Sequence, residues 1–291
     1  MSQARTIPLP HRGVLSVAGE ERRIFLQGLV SNDLNKVSGT QAQWSAFLTP
    51  QGKYLHEFFV VEQGDALLLE GEAARLNDLR KRLTMYKLRA KVTIAVVEDL
   101  TVHALLGDDL GLTEAGAAKP LGGGMVFADP RLAAAGLRAL LPRDDAAAVL
   151  AAAGFAPGDA AEYERLRLSL GLPDGSRDLI IEKSLLLENG FDELRGVDFQ
   201  KGCYMGQELT ARTKYRGLVK KRLMPVIIDG PTPEPGTPLM LNGADAGEMR
   251  SAAGNVGLAL VRLEALGRAA MFEAGSAKVI PQRPEWMVLP G

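Results

Sequence analysis

The sequence predicts an α+β fold on three observations. Ala66 to Glu70 reads as a strand, Leu76, Leu79, Leu83 and Tyr86 then recur at spacings of three, four and three, and Lys91 to Val97 alternates as a strand again. That β-α-β order packs a sheet on helices in the first half. Two helical stretches follow between Asp144 and Leu170. After Leu223 the chain changes to short apolar runs separated by Pro231-Thr232-Pro233-Glu234-Pro235-Gly236 and several glycines, for which a small β-barrel is the natural closed arrangement.

Each element has a local cause. Pro50-Gln51-Gly52 reads as a type I turn between two strands, because proline presets the first central position and glycine closes the turn. The stripe from Leu76 to Tyr86 makes one apolar face of a helix. Gly122 to Gly124 lacks the lysine and the serine or threonine that complete a phosphate loop, so it reads as a turn. Asp144 is placed to cap an alanine-rich helix that Gly154 ends. A second helix covers Ala161 to Leu170, with Tyr163, Leu166 and Leu170 on one face and Gly171 as its stop; its Arg165 and Arg167 point either to a ligand or to water.

Composition bounds the function. A chain of 291 residues with 46% hydrophobic content can bury a core and is long enough for two or three domains. The opening Met1 to Pro10 is polar and broken by proline, no apolar run approaches the ~20 residues that span a bilayer, and a single cysteine excludes an internal disulfide. A soluble cytoplasmic protein with no membrane partner is expected, in the mitochondrial matrix if the source is eukaryotic. The net charge of -1 argues against a general nucleic-acid or membrane-surface binder. Between Lys201 and Arg222, however, seven basic residues face one acidic residue, so that this window carries +6 and the remainder -7. An anionic ligand would meet its field there; the alternative for Lys220-Lys221-Arg222 is a strand edge protected by charge. His11, His56 and His103 are far apart and one cysteine cannot build a thiolate zinc site, so no tightly bound metal is expected.

That cysteine is the best functional lead. Cys203 lies in Lys201-Gly202-Cys203-Tyr204-Met205-Gly206-Gln207-Glu208. A thiol with pKa near ~8.5 is only a few per cent thiolate at neutral pH, and Lys201 is placed to raise that fraction. Gly202 and Gly206 let the backbone turn tightly and a partner approach the sulfur, while Gln207 and Glu208 add an amide and a carboxylate. The competing reading is an inert, buried small hydrophobe.

The stretch Val197 to Thr213, with its K-G-C-Y-x-G-Q-E core, resembles the signature of the YgfZ-type folate-binding proteins, relatives of the glycine-cleavage T-protein that act in iron–sulfur cluster assembly. Further segments agree: Phe25-Leu26-Gln27-Gly28 with its flanks Arg22 to Asp33, Leu48-Thr49-Pro50-Gln51-Gly52-Lys53, Tyr86 to Val92, Arg165 to Pro173, Leu187-Glu188-Asn189, and Arg216-Gly217 through Arg222-Leu223. The similarity covers nearly the whole chain and is greatest to the branch of the mitochondrial iron–sulfur assembly factor that works with A-type carriers. It implies a T-protein-like fold: residues 1–220 as two intertwined α+β subdomains that bind folate, and residues 221–291 as a C-terminal β-barrel, around a central channel. It further implies tetrahydrofolate or a derivative as cofactor, and iron–sulfur carrier or client proteins as partners. Cys203 is then the reactive residue, with Lys201, Gly202, Tyr204, Gly206, Gln207 and Glu208 as its motif. Arg167, Arg212 and Lys214 are candidate folate contacts, the last two for the glutamyl tail.

Two departures from the T-protein bear on activity. Its paired aspartates, G-G-x-x-D-D, are replaced in Gly52-Lys53-Tyr54-Leu55-His56-Glu57, and its folate-holding glutamate in L-R-L-E-A-G falls at Ser169. The adjacent N–H donors of a pterin still require a carboxylate. Glu188, at the end of the apolar run Leu185-Leu186-Leu187, is the candidate, against the alternative of an exposed loop glutamate. Two functions remain: a tetrahydrofolate-binding factor that assembles or repairs iron–sulfur clusters through Cys203, or a folate-dependent aminomethyl or methyl transferase acting on tRNA. The missing aspartates and an aromatic content of 5%, poor for stacking bases, favour the first.

Overall fold

Leu76, Leu79 and Leu83 are buried along one side of a helix, as their spacing predicts, in the computed structural model, which describes residues 3–289. The six helices are α1 (Arg22–Gln27), α2 (Leu76–Lys87), α3 (Ala146–Ala152), α4 (Ala160–Ser169), α5 (Gln207–Tyr215) and α6 (Leu263–Leu266) among the described residues. None of them is long and apolar enough to cross a membrane. The chain alternates between two units: the first holds residues up to 50, 55–160 and 195–205, the second 51–54, 161–194 and 206 onward.

The first unit carries two sheets. One has five strands in the order Gln43–Leu48, Tyr54–Gln63, Ala66–Glu72, Arg12–Ala18, Thr93–Val97. The helix α2 packs its leucines into the apolar cluster of this sheet, with Leu15, Phe47, Phe58 and Val60. Tyr86, the fourth residue of the predicted stripe, is instead 40% exposed and sets its ring edge against Phe47. The other sheet has six strands, Ala156–Pro157, Arg5–Pro8, Leu100–Leu106, Leu137–Pro142, Gly124–Ala128 and Ala118–Leu121, over a core that includes Val126, Leu137, Leu150 and Phe155. The glycine triplet is the tight link between its last two strands.

A charged cluster is buried in the same unit. Glu70 accepts from Arg12 Nε at 2.6 Å and from Arg138 at 2.9 and 3.0 Å, while Glu57 accepts from Arg12 at 2.5 Å and from Trp44 Nε1 at 2.6 Å. Asp129 holds Arg131 at 2.7 Å, and the guanidinium of Arg138 lies 4.2 Å from the centroid of the Phe59 ring. Burial works to raise the Asp129 carboxyl, but Arg131 and Arg138 outweigh it and hold it below the usual range. Every charge in the cluster has an opposite partner, which is what allows charges inside a core.

In the second unit six strands close into a barrel in the order Lys221–Asp229, Val256–Arg262, Ala244–Ala253, Pro238–Leu241, Phe272–Ala274, Ala277–Pro281. Met224, Leu239, Met249, Val261, Phe272 and Val279 fill it. The barrel expected from the sequence is present, although two of its strands, Lys221–Asp229 and Ala244–Ala253, are longer than the short runs expected. Two helix details differ from expectation. The flanking residue at the start of α3 is Asp145, not Asp144, and its side chain makes no cap bond. On α4, Tyr163 is buried as expected, but Arg167 and Leu168 are buried with it, whereas Leu166 and Leu170 are only half-buried.

A clamped cysteine loop and a half-buried glutamate

Two distant segments of the first unit are laced together around the cysteine motif. Along residues 28–36, Gly28 O accepts from Met205 N at 3.1 Å, Val30 O and Asn32 O each accept from Lys201 Nζ at 2.6 Å, and Ser31 O accepts from Asp198 N at 3.0 Å. Side chains complete the lacing: Ser31 Oγ donates to Gly196 O at 2.6 Å, Asn32 Nδ2 donates to Arg195 O at 2.6 Å, and Lys36 pairs with Asp198 at 2.6 Å. Ser31 and Asn32 are buried, so these bonds replace water that neither residue can reach. The F-L-Q-G segment and the cysteine motif therefore form one local structure. Ser31 and Asn32 lie in the Arg22 to Asp33 stretch that carries the resemblance, but nothing there singles them out as site residues; the further signal is a polar pair following the apolar Leu29-Val30.

Cys203 is exposed on this loop and is not a buried, packed side chain. Gly202 has φ +92 and Gly206 φ +80, conformations that other residues avoid, so both glycines serve the path of the backbone. Nothing lies within 4 Å of a Cβ built at Gly202, so the space at this neighbour of Cys203 is open. Tyr204 is buried, and Lys201 sits 5.3 Å from the centroid of its ring. The Lys201 ammonium, expected to tune the thiolate, is directed at two carbonyls: it fastens the loop. Burial pushes its pKa down to about 8, with Asp33 and Asp198 pulling the other way.

Gly206 precedes α5 and belongs, with Gln207 and Glu208, to the second unit. Gln207 is half-buried and Glu208 exposed, on the first turn of the helix. There the turn at Gly52 comes so close that a Cβ on it would lie 2.7 Å from Gly206 O and 2.7 Å from Leu209 Cβ.

The candidate folate contacts separate. Glu188 is half-buried, its carboxyl pushed up by burial and drawn back by Lys221, Lys53 and the backbone N–H groups of Lys220 and Lys221 that it accepts from. Lys214 is exposed, pairs with Asp192, and lines a cavity of about 340 Å³ together with Leu187, Glu193, Thr213, Val219 and Arg222. Arg222 donates to Leu187 O at 2.7 Å and pairs with Glu193 at 2.7 Å. Arg212 is exposed on α5. Arg167 departs from the expected ligand contact: it is 1% exposed and bonded to Glu164, to Asp178 at 2.8 Å and to Leu172 O. Burial opposes its charge, but Asp178 and Glu164 hold it fully ionised, so it secures α4. Ser169, at the position of the T-protein glutamate, is exposed.

Two α+β sheets, a closed barrel and an exposed cysteine loop place the molecule in the class of T-protein-like folds. It is similar throughout to the solved glycine cleavage system aminomethyltransferase T from Bartonella henselae, with a TM-score of 0.77 at 15% identity, covering 99% of this chain and 87% of that one. Residues 220–289 match the family model described as "CAF17, C-terminal beta-barrel domain". Mouse "Iron-sulfur cluster assembly factor IBA57, mitochondrial" is 36% identical over 284 residues, 89% of this chain and 77% of the mouse protein. The human protein of the same name is 35% identical over 273 residues, 87% of this chain and 76% of its own length. The chain belongs to the IBA57 family.

Proposed function

We propose that the chain assists the assembly or repair of iron–sulfur clusters in target enzymes, presenting Cys203 as the one thiolate it contributes to a cluster. The exposed sulfur on a loop fastened to the protein body carries this reading, and the names of the relatives, iron–sulfur cluster assembly factors, agree with it. A cluster normally takes four protein ligands, mostly thiolates. A chain with one cysteine therefore handles a cluster only jointly, with the other ligands from a carrier or client protein or a small thiol. The test is complementation of a strain lacking the protein, read out as the activity of several iron–sulfur enzymes. Cys203→Ser, which keeps size but offers neither an accessible anion nor a soft ligand, should fold normally and fail to restore them. Full rescue by the serine variant would end the proposal.

The same reading includes tetrahydrofolate, or a derivative, as a ligand of the second unit. Glu188 supports it: a half-buried carboxylate that already receives two backbone amides keeps lone pairs for the paired N–H donors of a pterin. Arg212 and Lys214 are exposed and suit the carboxylates of a glutamyl tail. Calorimetry should show affinity rising with glutamate number, weakening with salt, and falling in Glu188→Gln. Absence of binding would remove folate from the proposal and leave the cysteine chemistry standing. Aminomethyl or methyl transfer to tRNA is the weaker reading. At the positions of the T-protein aspartates, His56 is buried against Asp78 and Glu57 is buried against Arg12 and Trp44.

A further inference from the structure

The segment Tyr86 to Val92 takes no part in the cysteine loop or around Glu188. It closes α2, whose inner side is spent on the core through Leu76, Leu79 and Leu83, with Ala90 and Val92 continuing the packing. Its outer side carries an apolar tip: Leu88 is 88% exposed, Met85 60% and Tyr86 40%. Leu88 stands at φ +46 and ψ -110, a conformation that a branched side chain disfavours, and the tight reversal leaves it projecting from the surface. Single exposed apolar residues are ordinary, but three within four positions at one helix end form a patch.

Charge surrounds the tip. Between Arg80 and Lys91 there are six basic residues and no acidic one. Arg82 is paired with Asp78 and Lys91 with Glu20, whereas Arg80, Lys81, Lys87 and Arg89 make no ion pair among the described residues. The net charge of -1 conceals this, because charges beyond a screening length of about 8–10 Å contribute little to the local field.

We propose that the end of α2 and the turn after it form a docking surface for an anionic lipid bilayer. A protruding apolar tip ringed by unpaired cations suits a fluid interface: Leu88 and Met85 enter the acyl boundary while Arg80, Lys81, Lys87 and Arg89 stay among the headgroup phosphates. A single-stranded nucleic acid would call for planar side chains to stack on bases, and the one aromatic ring of the tip already packs its edge on Phe47; a duplex would have no use for the protruding Leu88 and Met85. The inference stands apart from the function proposed for Cys203 and from folate binding.

Sedimentation with unilamellar vesicles tests it. The full chain should pellet with phosphatidylcholine vesicles containing roughly one-third phosphatidylglycerol, less so as salt rises, and not with phosphatidylcholine alone. Lys81→Gln with Arg89→Gln should weaken partitioning by about 25-fold, at about fivefold per cation. Met85→Gln with Leu88→Gly leaves the charge untouched and relieves the backbone, and should still weaken partitioning by about tenfold or more. Failure to pellet with anionic vesicles at low salt would overturn the proposal. So would full binding by Met85→Gln/Leu88→Gly alongside loss in the charge variant, since that pair of results describes a general polyanion site.

Discussion

Lys201 places its ammonium 2.6 Å from the carbonyl oxygen of Val30, a residue 171 positions away in the chain. The bond is doubled at Asn32, so one side chain supplies two of the fastenings of the cysteine loop. Lys201→Met keeps the stem and deletes the donor, leaving two carbonyls to find other partners at a cost of about 1–3 kcal/mol. Hydrogen exchange of amides 199–205 should accelerate, and alkylation of Cys203 should change with it. Unaltered exchange in the variant would show that Lys201 does not hold the loop.

Glu70 is the hub of the buried charge cluster, with a fully buried side chain between Arg12 and Arg138. Glu70→Ala removes the carboxylate shared by two buried guanidinium groups, leaving Arg12 with Glu57 at 2.5 Å and Arg138 with Asp129 at 3.5 Å as remaining acidic partners. It should cost about 3–5 kcal/mol, the range for breaking a buried pair by removing one partner. Denaturant unfolding measures this directly; a loss below about 1 kcal/mol would mean that water or a neighbouring acid replaces the carboxylate.

His56 provides a pH dependence. Burial and the nearby Arg75 lower its pKa to about 4 from 6.5, with Asp78 opposing, so the folded state holds the ring neutral. Between pH 6.5 and 4 the unfolded chain therefore binds the proton and the folded chain does not. Stability falls as pH drops through this window, by about 3 kcal/mol in total, and the contribution levels off below pH 4. Stability curves of wild type and His56→Gln should diverge in that interval, the variant being the flatter. Parallel curves would show that His56 does not titrate differently on folding.

Gly52 has φ +79 and its missing Cβ is replaced by the backbone of Gly206 and the side chain of Leu209. A carbonyl oxygen cannot swing aside as a flexible side chain does. Gly52→Ala should therefore cost about 2 kcal/mol or more in denaturant unfolding, whereas alanine stabilises by about 0.4–1 kcal/mol at a permissive site. An unshifted midpoint would show that the turn can move away from α5.

What was legible in the sequence was what repeats locally. The leucine spacing of α2, the short strands of the barrel and the glycine-flanked cysteine all have causes within a few residues of themselves. Arg167 had no such cause. Its partner Asp178 lies 11 residues on and is itself bonded to Ser251, 73 residues further, so nothing near Arg167 distinguishes a buried anchor from a ligand contact. The cluster of Arg12, Glu57, Glu70 and Arg138 was hidden for the same reason. Each charge looks solvated until four strands bring them together. The shift from Asp144 to Asp145 at α3 reflects two adjacent aspartates with equal claims to the position.

The closed barrel has a consequence for recognition. A strand flanked on both sides has few free backbone donors or acceptors to offer, and the six strands of the second unit form such a ring, with the single pair Met240 and Glu273 joining Pro238–Leu241 to Phe272–Ala274. Closure leaves no full-length open edge for another polypeptide to extend with a strand. Recognition through it runs chiefly through side chains and connecting loops, whose identity changes readily by substitution, and the closed ring disfavours edge-to-edge stacking into fibrils.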